Sequence, residues 1–219
     1  MPEINNIVKF NKEMQSLINT KVTNSSFTHL DWGQDDLQAI RSYIRSHYRN
    51  EQKGRCSYCR GVLSLRSAAN CHVEHITPKS KYLKFIFEAK NLCVACADCN
   101  EIKREQETLG TEPDPLVDGD IRVQYPRSSN AFKIVHPHFD NYNDHIKIFN
   151  GYYVDSSPKG HFTIGACKLN RHLHEFGWEE DLVSEDHITE IMNEYLECSD
   201  SLSKNSILQK LKRILVMVR

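Results

Sequence analysis

The sequence predicts an α+β fold: a small metal-stapled core flanked by N- and C-terminal helices and a small β-hairpin region. Three observations lead there. Six of the eight cysteines (Cys56, Cys59, Cys71, Cys93, Cys96, Cys99) crowd into one stretch that contains CxxC turns. Apolar residues recur at helical spacing toward both ends. Between the ends, Asn150-Gly151 separates two β-prone runs, the strongest short-range hairpin signal a sequence offers.

A chain of 219 residues, 39% of them apolar, builds one domain with attachments or two small domains, with a core modest enough to need a metal or a partner. Lys and Arg number 28 against 29 Asp and Glu, so bulk polycation binding of nucleic acid is excluded and a local patch has to do that work. The first residues, MPEINNIVKF, lack the apolar region of a secretory signal, and the longest late apolar run, Ile214 to Val218, is too short for a bilayer. No membrane association and a cytoplasmic location are expected. In that compartment clustered cysteines bind metal before they form disulfides.

Residues 1–50 form the first segment, helical in pattern. Ile4, Ile7, Val8, Met14, Leu17 and Ile18 recur at one spacing, and Leu37, Ile40, Ile44 and Tyr48 at another, after the acidic start Asp35-Asp36. Arg41, Arg45 and Arg49 fall four apart on one face, and from 41 to 66 seven bases meet one acid. Residues 51–110 form the core segment. Glu105 to Asp120, with six acids and no bases, reads as a linker into residues 111–219. There Ile121 to Gln124, Phe132 to Val135 and Phe162 to Ile164 are strand-like, and Ile146 to Phe149 pairs through the Asn-Gly turn with Tyr152 to Val154. Ser184 is a helix cap before Ile188, Ile191, Met192, Tyr195 and Leu196, and a last helix carries Ile207, Leu208, Leu211, Ile214, Leu215 and Val218. The former is acidic and the latter basic, which suits pairing with each other or with another protein.

Zn²⁺ takes four soft or borderline ligands in a tetrahedron, and two CxxC turns supply them. Cys56 and Cys59 make the first turn. Cys93, Cys96 and Cys99 are equally spaced, so the second is 93/96 or 96/99. The pair 96/99 is preferred, which leaves Cys93 as a small buried residue. Zinc alone names no activity.

Between the turns stand Cys71-His72-Val73-Glu74-His75-Ile76-Thr77-Pro78-Lys79-Ser80, then Asn91-Leu92, then Cys96-Ala97-Asp98-Cys99-Asn100, then Lys103. In this order the motifs resemble the HNH nucleases, whose ββα-metal core sits in a zinc-stapled treble clef. The resemblance implies that His75 is the general base and that Glu74 and Asn100 hold one catalytic Mg²⁺ or Mn²⁺. It further implies that Asn91 pins the loop and orients His75, and that Lys103 meets a phosphate. His72, Lys79 and the Arg41, Arg45, Arg49 stripe are the remaining candidates for nucleic-acid contact. Glu74 stands where Asp is common and Asn100 where the last His of the name would be; both still offer oxygen ligands to a hard cation.

These residue types suit phosphodiester hydrolysis. An imidazole can take a proton from water, and a hard cation can offset charge on the phosphate. Glu74 and His75 are neighbours, however, and in a regular strand neighbours face opposite ways. Both serve one site only if the chain departs from regular strand geometry, as Pro78 implies.

Further on, His136, His138, Asp140 and His145 form a second histidine-rich stretch, read chiefly as a shaped loop. The runs CHVEHITPKSKY, HPHFDNY and KGHFTIGACKLNR together resemble the HNH subunits of Septu-type and some retron-linked anti-phage systems. That resemblance implies a hetero-oligomer with an ABC/SMC-like ATPase, PtuA, and nucleic acid, DNA before RNA, as the substrate. The competing expectation is a catalytically silent treble-clef zinc module that positions nucleic acid or protein.

Overall fold

Helix α2 (Gln38–Glu51) presents Ile40, Ile44 and Tyr48, with Leu37 just ahead of it, as one fully buried stripe. That stripe packs on the antiparallel pair β1 (His72–His75) and β2 (Leu92–Ala95), in register His72↔Ala95 through His75↔Leu92. In this computed structural model, residues 3–110, 117–118, 121–122, 124–149, 151–176 and 185–217 are described. The chain divides into two units, Met1–Ile146 with Asp155–Lys168, and Lys147–Val154 with Leu169–Arg219. The segments 1–50 and 51–110 thus fall in one unit, which also takes in much of the third.

In the first unit, α1 (Lys12–Thr23) starts at Asn11, whose side chain accepts the Met14 N–H. The expected helical run through Ile4 and Val8 is not helical. Ile4 and Val8 are buried, but their N–H groups go to the Pro137 carbonyl and the Tyr48 hydroxyl instead of a helix ladder. The outer edge of β2 is closed by a side chain. Gln52 accepts from the Val94 N–H at 2.8 Å and donates to the Val94 carbonyl at 2.9 Å, and the Ser57 N–H donates to the same carbonyl. The first CxxC turn is thereby docked on the sheet, and α3 (Ala97–Lys103) leaves directly from its end.

The stretch 105–110, expected to be linker, is held: Thr108 Oγ1 donates to the Ile76 carbonyl at 2.9 Å and the Gly110 N–H to the Ala131 carbonyl. Residues 111–116 and 119–120 lie outside the described residues. Beyond them β3 (Val117–Asp118) pairs with β4 (Ile121–Arg122). Phe132 to Val135 is buried but is no strand; a single bridge, Leu109↔Phe132, is all the ladder it makes.

A short α4 (Tyr142–His145) leads into the hairpin β5 (Ile146–Phe149) and β6 (Tyr152–Asp155), with Gly151 at φ +82° as such a turn requires. Phe162 to Ile164, expected as a strand, lies inside α5 (Pro158–Ala166). Ser157 caps that helix by accepting the Gly160 N–H, and Pro158 occupies its first turn, so capping overrides β-propensity.

In the second unit, Asn170 exchanges two hydrogen bonds with the Tyr153 backbone ahead of α6 (Arg171–Phe176). Helices α7 (Glu185–Glu197) and α8 (Ser201–Met217) bury Ile191 against Ile207, with Tyr195, Cys198 and Leu211 around them. Of the expected apolar face of α7, Met192 and Leu196 are exposed, and Ser184, expected as its cap, lies outside the described residues. Acidic α7 and basic α8 do pair, through Glu194–Lys210 at 3.6 Å and Lys204 over the Tyr195 ring. No described helix is long and apolar enough to cross a membrane.

Candidate metal centre and catalytic cleft

The thiols of Cys56, Cys59, Cys96 and Cys99 all lie within 4.8 Å of one another, and Cys59 Sγ is 3.7 Å from Cys96 Sγ. A tetrahedral Zn–S distance of about 2.3 Å requires S···S of about 3.8 Å, so the cluster has the size of a zinc site. Backbone N–H groups already point at its sulfurs: Tyr58 at Cys56, Gly61 at Cys59 and Cys99 at Cys96, at 3.4–3.5 Å. Hydrogen bonds from Cys56 and Cys59 push the Cys96 thiol down, while burial pushes Cys56 up. Four buried thiols that cannot all ionise on their own fit a dication that lets them. Cys93 stands apart; burial pushes its thiol up to about 12, so it stays protonated and apolar in behaviour. The pairing 96/99 is therefore the one the fold builds.

Beside this cluster, β1 and α3 with the residues just past its end wall a cleft of about 700 Å³. His72, Glu74, His75 and Asn100 all line it, with Lys79, Ser80, Trp32, Arg41 and Arg45. The difficulty of adjacent Glu74 and His75 is met by the sheet having only two strands. Among the described residues no strand lies beside the β1 edge away from β2, and the chain turns off at Ile76–Pro78, so side chains from both faces border one cavity.

His72 and Glu74, two apart, share a strand face. Asn100 Nδ2 donates to His72 Nδ1 at 2.9 Å, while the opposite ring nitrogen of His72 donates to the Ala69 carbonyl at 3.1 Å. His75 is fixed likewise. Its Nε2 is 3.0 Å from the Ile86 carbonyl, which can only accept, so Nε2 carries the proton and Nδ1 keeps its lone pair. Burial pushes the His75 pKa down to about 3, with the Lys79 charge adding to it, so the ring is neutral. Asn91 does not line the cleft. Fully buried, it accepts from the N–H and hydroxyl of Thr77 and donates to the carbonyls of Thr77 and Phe85, clamping the loop that presents Ile86 to His75.

The expected phosphate contact at Lys103 is placed otherwise. Its side chain is 0% exposed, and its Nζ sits 2.6 Å from Glu74 Oε1 and 3.1 Å from the His75 carbonyl, so it cannot reach a phosphate from there. The arginine stripe also divides. Arg41 binds the carbonyls of Trp32 and Gln34, Arg45 that of Cys71 and Arg49 that of Ser64, and only Arg41 and Arg45 border the cleft. Sequence reasoning missed Tyr58, whose hydroxyl donates to Glu74 Oε1 at 3.2 Å, and Trp32, whose ring meets His75. Tyr58 lies within the first CxxC, where that position carries no signal of its own; Trp32 is separated from the motif by a helix.

The Glu74 carboxylate, the Asn100 carboxamide and the His72 imidazole line the same cleft, and oxygen and nitrogen donors are the types that hard divalent cations take. The second histidine stretch gathers around Asp140 without forming a metal cluster. The His136 backbone N–H donates to Asp140 Oδ2 at 2.7 Å, His145 Nε2 lies 3.8 Å from Asp140 Oδ1, and Lys159 pairs with Asp140 at 2.6 Å. The rings of His136 and His138 bond the Tyr125 hydroxyl and the Leu92 carbonyl, so these groups tie loops down. Among the described residues the four cysteines are the one cluster with metal-binding geometry.

No protein-family profile matches the chain. Over 131 residues, 60% of its length, it is 27% identical to the Septu protein PtuB of Bacillus thuringiensis, of which the match covers 42%. The match thus spans about two fifths of that relative's length, and the similarity is that of a distant relative.

Proposed function

We propose that this protein is a metal-dependent HNH endonuclease that hydrolyses phosphodiester bonds of invading nucleic acid, DNA before RNA, as the nuclease subunit of an anti-phage complex with a PtuA-like ATPase. The observation that carries the reading is convergence: His75, Glu74 and Asn100 border one cleft beside a four-thiol centre of zinc dimensions. The distant likeness to PtuB supplies the defence context.

In this mechanism His75 takes the proton of the attacking water at Nδ1, because Nε2 is committed to the Ile86 carbonyl. Its basicity in the free cleft is low, partly through the Lys79 charge. A phosphate oxygen bound to Lys79 offsets that charge and raises the basicity when substrate is present. Glu74 and Asn100 would hold Mg²⁺ or Mn²⁺, which would supply Lewis-acid stabilisation of developing negative charge. Asn91 keeps the base aimed by holding its loop, and Arg41, Arg45 and His72 border the path of the strand. The acidic helix 185–198, on which Met192 and Leu196 are exposed, and the tail 207–218 are the docking surfaces proposed for the ATPase.

Plasmid nicking with Mg²⁺ or Mn²⁺, with and without chelator, tests the reading. His75→Ala is expected to abolish nicking with zinc content unchanged. Surviving activity would overturn the mechanism, and no nicking by the wild type, alone or with the ATPase, would favour a silent zinc module.

A further inference from the structure

We infer that Lys103 is a latch on the divalent-ion site, so that the cleft takes its cation together with a phosphodiester and holds it poorly without one. The inference rests on the nuclease reading above and names how that site is regulated.

The carboxylate meant for the ion is already engaged. Lys103 Nζ lies 2.6 Å from Glu74 Oε1, and the Tyr58 hydroxyl donates to the same oxygen at 3.2 Å. A third contact, from Nζ to the His75 carbonyl at 3.1 Å, ties the ammonium to the backbone of the base itself. With the Lys103 side chain at 0% exposure and that of Glu74 at 7%, water screens the pair little. Lys103 and Asn100 both belong to α3, so one short helix carries a proposed ion ligand and the competing charge.

Charge balance then decides what the cleft can hold. Glu74 and Lys103 cancel, Asn100 and His72 add no negative charge, and the two further lining carboxylates, Glu101, paired with Arg104, and Glu105, are outnumbered by Arg41, Arg45, Lys79 and Arg104. A dication arriving alone meets oxygen donors without net attraction, and an ammonium that repels it. A phosphodiester brings the missing negative charge, and Lys79, Arg41 and Arg45 border the same cavity to receive it. Cation and substrate therefore assist each other's binding, a reciprocal coupling through one cavity. Such a site leaves the enzyme unloaded until nucleic acid is in place.

The test is Mn²⁺ titrated into the zinc-loaded full chain, with and without a saturating single-stranded deoxyoligonucleotide, the uptake of the oligonucleotide alone being subtracted. Wild-type protein is expected to bind Mn²⁺ weakly by itself and about tenfold or more tightly with the oligonucleotide. Lys103→Met, neutral and of similar length, is expected to bind Mn²⁺ about tenfold more tightly than wild type without any oligonucleotide. Adding Glu74→Gln is expected to erase that gain. Lys103→Gln repeats the measurement if melting shows Lys103→Met to be poorly folded, and the wild-type pair of titrations needs no variant. Wild-type affinity that the oligonucleotide leaves unchanged, or that neither neutral variant improves, overturns the latch. Nicking that requires Mn²⁺ and disappears in His75→Ala upholds the nuclease reading whichever way the titrations fall, so the two fail separately.

Discussion

The His75 imidazole stands edge-on to the Trp32 indole, ring centroids 4.6 Å apart and planes at 78°. Trp32 comes from a 3-10 turn, His29–Gly33, ahead of α2, and its carbonyl is held by Arg41. It also packs against Phe87, so it covers a side of the His75 ring other than the one that meets the Ile86 carbonyl. Trp32→Ala lets the ring swing and water in. Nicking is expected to fall about 10- to 100-fold, mostly in kcat. The acid limb of the pH–rate profile should move to higher pH, because loss of burial returns His75 toward its ordinary pKa. Trp32→Phe restores most of both, whereas a purely structural role would leave the acid limb where it was.

The four-thiol centre separates two cysteines that the sequence spaces alike. Cys96 caps α3 and belongs to the cluster, whereas Cys93 is buried in β2 opposite Glu74. Cys93→Ala is expected to keep one zinc per chain and to cost about 1 kcal/mol for a small cavity. Cys96→Ser removes one of the four thiols and is expected to lower zinc content and melting temperature together, a complete structural zinc site being worth on the order of 10 kcal/mol. Zinc per chain by mass spectrometry, read beside melting curves, distinguishes them; loss of zinc in Cys93→Ala would return the pairing to 93/96.

What could be read in advance was whatever depends on local chemistry. The stripe Leu37, Ile40, Ile44, Tyr48 and the hairpin of β5 and β6 follow from periodicity and turn preference, and a four-thiol centre from two CxxC turns, whereas equal spacing left 93/96 and 96/99 for the structure to separate. The gathering of His72, Glu74, His75 and Asn100 at one cavity was legible only through motif resemblance. Lys103 was misplaced because nothing local distinguishes an exposed lysine from one buried on a carboxylate 29 residues upstream. Phe162 to Ile164 failed for another reason: its β-prone residues are outvoted by the cap at Ser157 and by Thr163, which donates to the Lys159 carbonyl and accepts the Val135 N–H.

Three buried histidines make stability depend on pH. Burial pushes His138 down to about 4, His75 to about 3 and His136 well below its ordinary value. Unfolded histidines titrate near 6.5, so between there and about pH 4 the unfolded chain binds protons that the native one refuses. Stability is thus complete above about pH 6.5 and falls on acidification, by about 3 kcal/mol between pH 6 and 5 for the three together. Denaturant melts in zinc-replete buffer measure it. His138→Gln, which can still donate to the Leu92 carbonyl, should remove about a third of the slope whatever it does to stability at pH 7.

Two glycines of α5 should respond to the same substitution with opposite signs. A Cβ on Gly160 would lie 1.9 Å from the His145 carbonyl oxygen and 2.8 Å from its carbon, both backbone atoms that cannot turn aside. A Cβ on Gly165 would meet nothing within 4 Å. Both sit in helix, where Ala is worth about 1 kcal/mol over Gly. At Gly165 that gain stands, and Gly165→Ala is expected to stabilise by about 0.5–1 kcal/mol. At Gly160 the helix must back away from α4, and overpacking of this kind costs about 1–3 kcal/mol or more, so Gly160→Ala is expected to be net destabilising. The shift would also strain the Ser157 cap, whose hydroxyl accepts the Gly160 N–H at 3.1 Å and lies 2.7 Å from His145 Nδ1. Paired melting curves decide it; equal shifts for the two variants would mean that α5 and α4 do not approach at Gly160.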